Sequence, residues 1–224
     1  NDLNEVAGRT GMGAVMGTKR LKAIAVRGRS PVKIADQPGL TAIAKWVSST
    51  MNEKHRAFHE FGTGAAMQGK SLEGGMPVLN YRLGASDTVA RVDAVAVRDQ
   101  VRVKMTSCYA CSVRCKKIVH IERTEEAARE ASETVYQGRA KVAVDPLGRY
   151  RVDPRYGGPE YESLAALGVN LGLDDLIAIC KSNEMCNALG MDTVSLGATL
   201  AWAMGCFEKG ILTLDDTGGV PLRF

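Results

Sequence analysis

Apolar residues at Leu40, Ile43, Trp46, Val47 and Met51 recur at three- and four-residue steps, which predicts a helix over 40–58. The run Leu21-Lys22-Ala23-Ile24-Ala25-Val26 instead predicts a short strand ended by Gly28, and Pro31 and Pro38 then mark a boundary near residue 34. Residues 63–87, rich in Gly, Ser and Pro, predict a loop laid against the body of the protein. The charged, Ala-rich stretch 122–137 predicts a solvent-exposed helix or hairpin inside an insertion at about 122–150. Beyond the Pro/Gly/Tyr-rich passage 146–159 the chain reads as helical throughout. One helix is expected over 160–171, and a second over 176–189 with Asp174 as N-cap and Gly190 as the C′ residue. A third is expected over 194–208, capped by Asp192-Thr193 and closed by Gly210. Ala165, Ala166, Gly197, Ala198 and Ala201 give these helices small faces suited to close packing. The expected fold is mostly α: a short β-containing N-terminal piece, residues 1–34, followed by a helical domain, residues 35–224, that carries a cysteine-rich loop.

Composition narrows the class. The 224 residues are 45% hydrophobic and 24% charged, which fits a globular chain with a sizeable core and excludes disordered and fibrous architectures. No apolar run approaches the roughly 20 residues of a membrane span, and no charged n-region with an apolar h-region opens the chain. The expectation is a soluble, cytoplasmic protein. Because the chain starts with Asn, a fragment or processed product is also expected. Its 24 glycines are a high share against a usual ~7%, a use typical of tight turns and close backbone approach. Arg9, Lys19, Arg20, Lys22, Arg27, Arg29 and Lys33 set seven cations against Asp2 and Glu5 in the first 34 residues. A basic excess this small, beside glycines, points to an anionic ligand; low aromatic content and small net charge argue against nucleic acid.

Chemistry concentrates in a few places. Cys108, Cys111 and Cys115 form a C-x2-C-x3-C pattern, and no acid lies between 101 and 117, where Arg102, Lys104, Arg114, Lys116 and Lys117 cluster. Three soft thiolates from one stretch of chain can converge on a single metal centre, zinc or an iron–sulfur cluster, and each needs a fourth ligand. The surrounding cations suit a centre of net negative charge. Ala7-Gly8-Arg9-Thr10-Gly11-Met12-Gly13, continuing to Gly17, gives a backbone able to approach a phosphate or pterin ring, although on pattern alone a Gly-rich turn before a strand is the better account. Glu160 and Glu162 open a helix after Gly157-Gly158-Pro159, where acids ordinarily serve the helix dipole. Asn187 to Asp192 reads as one helix end followed by the next cap. His55 and His59 share a helix face without a glutamate to complete a zinc-protease motif and are read as surface residues; His120 receives no role.

Taken together these pieces resemble one family. The run from Ala7 through Gly17 to Ile24 is similar to tungsten-containing aldehyde:ferredoxin oxidoreductases. So are the Cys108-Cys111-Cys115 pattern, Gly158-Pro159-Glu160-Tyr161-Glu162 with Leu164-Ala165-Ala166, and Cys186-Asn187 through Asp192-Thr193-Val194-Ser195-Leu196-Gly197. The likeness covers nearly the whole chain in order, apart from about 122–150.

The resemblance implies a tungsten (or molybdenum) bis-pterin beside a [4Fe–4S] cluster, with magnesium bridging the pterin phosphates. It implies oxidation of a small aldehyde to a carboxylic acid, and electron transfer to ferredoxin or an Fe–S subunit, in a possible homo-oligomer. Cys108, Cys111 and Cys115 become three cluster ligands. Ala7, Gly8 and Arg9 become pterin contacts, with a backbone carbonyl near the magnesium. Asn187, Gly190, Met191 and Asp192 match the family's Asp-x-x-Gly-Leu-Asp/Cys pterin motif, from which Asn187 and Met191 depart, leaving Asp192 as the firmer contact. Glu162 becomes the proton acceptor near the metal, with Glu160 as the fallback. The family's β-rich beginning and its C-terminal region, with the fourth cysteine, are not matched, and Cys180, Cys186 and Cys206 do not supply that cysteine. The expectation is therefore an internal segment: the end of a β-rich pterin-binding domain and most of a helical second domain. Two alternatives stay open on sequence: the tungsten subunit of a multi-subunit enzyme such as benzoyl-CoA reductase, and a non-enzymatic zinc-binding module.

Overall fold

A computed structural model describes residue 3, residues 9–54 and residues 56–224, with the side chain of Asn52 excepted. Ala7, Gly8 and His55 lie outside the described residues. In chain order the helices are α1 (Met12–Thr18), α2 (Gln37–Lys54), α3 (Arg56–Phe61), a 3-10 turn at Gly62–Ala66, α4 (Met67–Leu72), α5 (Val89–Val92) and α6 (Ala94–Gln100). Two strands follow, β1 (Arg102–Thr106) and β2 (Lys116–Val119), then β3 (Ile121–Glu122), α7 (Glu125–Tyr136) and β4 (Ala143–Val144). The chain continues with α8 (Tyr161–Leu167), a 3-10 turn at Val169–Leu171, α9 (Leu176–Leu189) and α10 (Thr193–Glu208). The mostly α expectation holds. No described helix is long and apolar enough to cross a membrane.

The N-terminal piece departs from its reading. Among the described residues no strand falls within 1–34. Residues 21–29 run without regular structure, with Ile24 and Val26 exposed. A strand exists only as half of a hydrogen-bonded pair, and among the described residues no partner edge lies beside this one. The glycine run is likewise not a simple turn: Gly11, at φ 71, precedes α1, which buries none of its residues.

The core gathers the rest. Met67, Val92, Val97, Val119, Ile121, Leu164, Val169 and Ile179 pack into one cluster, which draws on α4 to α6, the strands, and α8 to α9. The 63–87 segment is therefore less of a loop than expected, because Met67 of α4 is wholly buried and anchors it. A second cluster of Leu171, Ala201 and Met204 lies under α10, with Leu222 and Phe224 against it. Helix α10 crosses α8 at Gly197, where a Cβ would stand 2.4 Å from the Ala166 carbonyl oxygen. Ala165, Ala166 and Ala201 are buried as the small-face argument requires, whereas Ala198 turns outward.

Caps fall close to expectation, with one correction. Asp175, not Asp174, caps α9: its Oδ1 accepts from the N–H groups of Ile177 and Ala178, both at 3.1 Å. Only the residue directly before the first turn reaches those donors; Asp174 pairs instead with Arg91 at 2.8 Å. Gly190 closes α9 in the left-handed region at φ 73, and Asp192 caps α10. The expected 160–171 helix is broken at Gly168, where a Cβ would lie 2.3 Å from the Leu164 carbonyl. The 122–137 stretch is a helix and not a hairpin. One face of it is docked, with Ala128 buried and Tyr136 reaching His120.

Candidate functional site

The three clustered cysteines sit on the loop 107–115 that closes the β1–β2 hairpin. The strands pair antiparallel, with Thr106 opposite Lys116 and Met105 opposite Lys117, so the hairpin delivers Cys115 directly into β2. Within the loop, Cys111 N–H donates to the Cys108 carbonyl at 3.1 Å, a turn that draws the first two cysteines together. Ala110 and Arg114 both take positive φ, at 54°, as the reversals between cysteines demand. All six cysteines are free thiols; Cys108 is exposed, while Cys111 and Cys115 are half-buried. Burial pushes the Cys115 thiol up, the Glu160 carboxylate and Cys111 add to this, and Lys117 opposes it. Among the described residues no three His, Cys, Asp or Glu side chains converge into a closed metal site. The donor set nonetheless fits a soft metal centre in its chemistry: unpaired thiols on one loop, an ammonium behind the third, and basic neighbours around them.

Sequence reading missed two features that hold this loop. His59 is half-buried, not a surface residue, and its Nδ1 lies 2.9 Å from the Val113 carbonyl, binding α3 to the loop. Lys117 is buried, and its Nζ donates to Glu160 Oε2 at 2.7 Å. Glu160 also accepts from Thr63 Oγ1, which in turn accepts from the Tyr161 N–H at 2.9 Å. An i, i+4 histidine pair and a lysine within a basic cluster carry no signal in sequence for such long-range partners.

Beside this pair lies a cleft of about 160 Å³, lined by Lys117, Gly158, Glu160, Asn187, Met191 and Asp192, among others. Three of the four residues assigned to the 187–192 pterin motif thus face the same space as the Lys117–Glu160 pair. Gly158 permits this approach, since a Cβ there would stand 2.9 Å from Val119 Cγ1. Asn187 Nδ2 donates to the Tyr156 carbonyl at 2.9 Å. Asp192 Oδ2 accepts from the Ser195 N–H at 2.8 Å and its hydroxyl at 2.6 Å, so this carboxylate is fixed by its capping role. A neighbouring hollow of about 210 Å³ is lined by Thr63, Ala66, Lys70, Glu160, Tyr161 and Glu162. Glu162 is more than half exposed and lies 3.6 Å from Arg9, so the structure brings the expected catalytic carboxylate and the expected pterin-contacting guanidinium together.

A thiol-bearing hairpin thus stands next to a polar cleft on a helical body. Comparison with known proteins defines the class further. Residues 41–224 match the family model described as aldehyde ferredoxin oxidoreductase, domains 2 and 3, and residues 1–28 match that of its N-terminal domain. The chain belongs to the aldehyde ferredoxin oxidoreductase family.

Among its relatives, the tungsten-containing aldehyde ferredoxin oxidoreductases of Thermococcus kodakarensis and Pyrococcus furiosus are each 34% identical to it, over 99% of this chain and 32% of their own lengths. The WOR-like subunit of the aliphatic sulfonate oxidoreductase of Pyrococcus furiosus is 27% identical over 96% of the chain and 31% of its own length. The chain therefore spans about a third of the length of the relatives it matches.

Proposed function

We propose that this chain supplies the cysteine loop and one pterin-facing wall of an enzyme that oxidises aldehydes to carboxylic acids and passes the electrons to ferredoxin or an equivalent iron–sulfur carrier. The observation that carries the reading is the placement of Cys115 and Glu160 on either side of the buried Lys117, with Glu162 beside Glu160 in the neighbouring hollow. This joins a thiol loop to a carboxylate-bearing cleft, within a family whose named relatives contain tungsten. A tungsten bis-pterin, when bound, supplies the two-electron oxidation, and a [4Fe–4S] cluster supplies one-electron relay.

Each residue has a part. Cys108, Cys111 and Cys115 would hold three corners of the cluster. Arg9, with Ala7 and Gly8, would meet one pterin through its guanidinium and backbone, close to the bridging magnesium. Asn187, Gly190, Met191 and Asp192, at the α9–α10 junction, would face the other. Balanced, the reaction is RCHO + H2O → RCOO⁻ + 3H⁺ + 2e⁻. Glu162 takes one proton from the hydrated aldehyde through its exposed carboxylate, and the two electrons leave singly. Lys104 and Arg114, exposed on the hairpin, present positive charge to an acidic carrier.

Glu162→Gln in the holoenzyme tests the proton role: turnover is abolished while tungsten content stays intact. Retained turnover would remove Glu162 from the mechanism. A purified holoprotein with zinc as its sole metal would overturn the reading as a whole.

A further inference from the structure

The cysteine loop and the helix that presents Glu162 are joined by a strut of polar groups, anchored on a buried lysine, that the apolar core does not require. The Lys117 side chain is 1% exposed, and its Nζ reaches Glu160 Oε2 at 2.7 Å. Thr63 Oγ1 completes the connection by donating to Glu160 and accepting from the Tyr161 N–H. Gly62, at φ +67, leaves room for the ammonium: a Cβ there would lie 2.5 Å from the Cys115 carbonyl oxygen and 2.7 Å from Lys117 Nζ. The cation therefore stands directly behind the third cysteine of the loop. Burying an ammonium, even a paired one, carries a desolvation cost that apolar residues of the same volume avoid, so stability alone does not account for a lysine here.

We propose that the Lys117–Glu160 pair is a positioning element that sets the electrostatic field on the cysteine loop, Lys117 favouring negative charge at the metal centre and Glu160 fixing that cation to the start of α8. The inference rests on the cluster reading above. Being held on the protein side of the loop, away from water and salt, the ammonium acts through a medium that screens it weakly. Reduction adds negative charge to a cluster, so a fixed cation nearby favours the reduced form and a fixed anion opposes it.

The test is an EPR-monitored redox titration of the cluster in the holoenzyme, with iron and tungsten assayed in every sample. Lys117→Met shifts the midpoint potential to more negative values, and Glu160→Gln shifts it to more positive values. Glu160 is a third exposed and stays hydrated without its partner, so Lys117→Met is the variant expected to fold. If only one of the two folds, its own shift decides the matter. Opposite shifts support the proposal, since loosened packing would move both variants the same way. Potentials that are unmoved or displaced in the same direction, with metals retained, overturn it and leave the proposed function standing. A parental protein lacking iron overturns both.

Discussion

The imidazole of His59 and the carbonyl of Val113, 54 positions apart, meet at 2.9 Å and fasten α3 to the cysteine loop. A carbonyl only accepts, so Nδ1 carries the proton in this contact. The bond falls between the second and third cysteines, which makes it a brace on the spacing of the thiols. His59→Ala removes it, at a cost of about 1 kcal/mol for a hydrogen bond of this kind. Iron should then be lost to a chelator several-fold faster from the variant holoenzyme, with the unfolding midpoint lowered by no more than about 2–4 °C. Unaltered iron release would show that the loop holds its shape without His59.

Helix packing gives a prediction independent of any metal. Gly197 lies against the Ala166 carbonyl with no room for a methyl group, whereas Gly17 has nothing within 4 Å of where its Cβ would be. Gly197→Ala should destabilise the chain by about 1–3 kcal/mol, as overpacking typically does. Gly17→Ala should be neutral or slightly stabilising, because alanine favours the helix. Thermal unfolding followed by circular dichroism separates the two.

Asp145 supplies a pH dependence. Burial opposes its ionisation. Three backbone N–H donors, from Tyr150, Leu147 and Arg149, outweigh that together with the Arg149 side chain, and hold the carboxyl below its ordinary value. A depressed folded value means stability that is complete above the unfolded value, about 3.9, and is lost as pH falls through the folded one. Asp145→Asn should therefore lower the denaturant midpoint at pH 7. The gap to the parent should narrow below about pH 4. A constant gap across that range would contradict the assignment.

Arg9 and Glu162 are both more than half exposed at 3.6 Å, a separation and setting in which an ion pair adds little to stability. Arg9→Ala should leave the unfolding midpoint unchanged and reduce the tungsten and pterin content of the holoenzyme. A drop in stability with cofactor content retained would make Arg9 a structural residue.

The sequence disclosed local features better than long-range ones. Helix ends were legible at Gly190 and Asp192, because capping chemistry depends on neighbours in the chain. The error at Asp174 is one residue, the distance at which two adjacent aspartates compete for one role. The strand expected at 21–26 failed because its alternation says nothing about a partner edge. The link from buried His120 and Glu122 to the exposed Arg151 was also invisible: His120 Nε2 meets Glu122 Oε1 at 3.0 Å, and Arg151 donates to both oxygens of Glu122. His120 and Glu122 are two residues apart on β3 and its approach, but only the fold brings Arg151 to them. The same holds for Lys117 and Glu160, whose sequence surroundings show two surface charges and whose structure shows a buried ammonium paired with a half-buried carboxylate.

The most direct test of the account is elemental analysis of the native holoprotein that contains this chain. It predicts tungsten, or molybdenum, with several irons and acid-labile sulfide per chain, and a brown absorbance. Zinc alone, without iron, sulfide or colour, would contradict it.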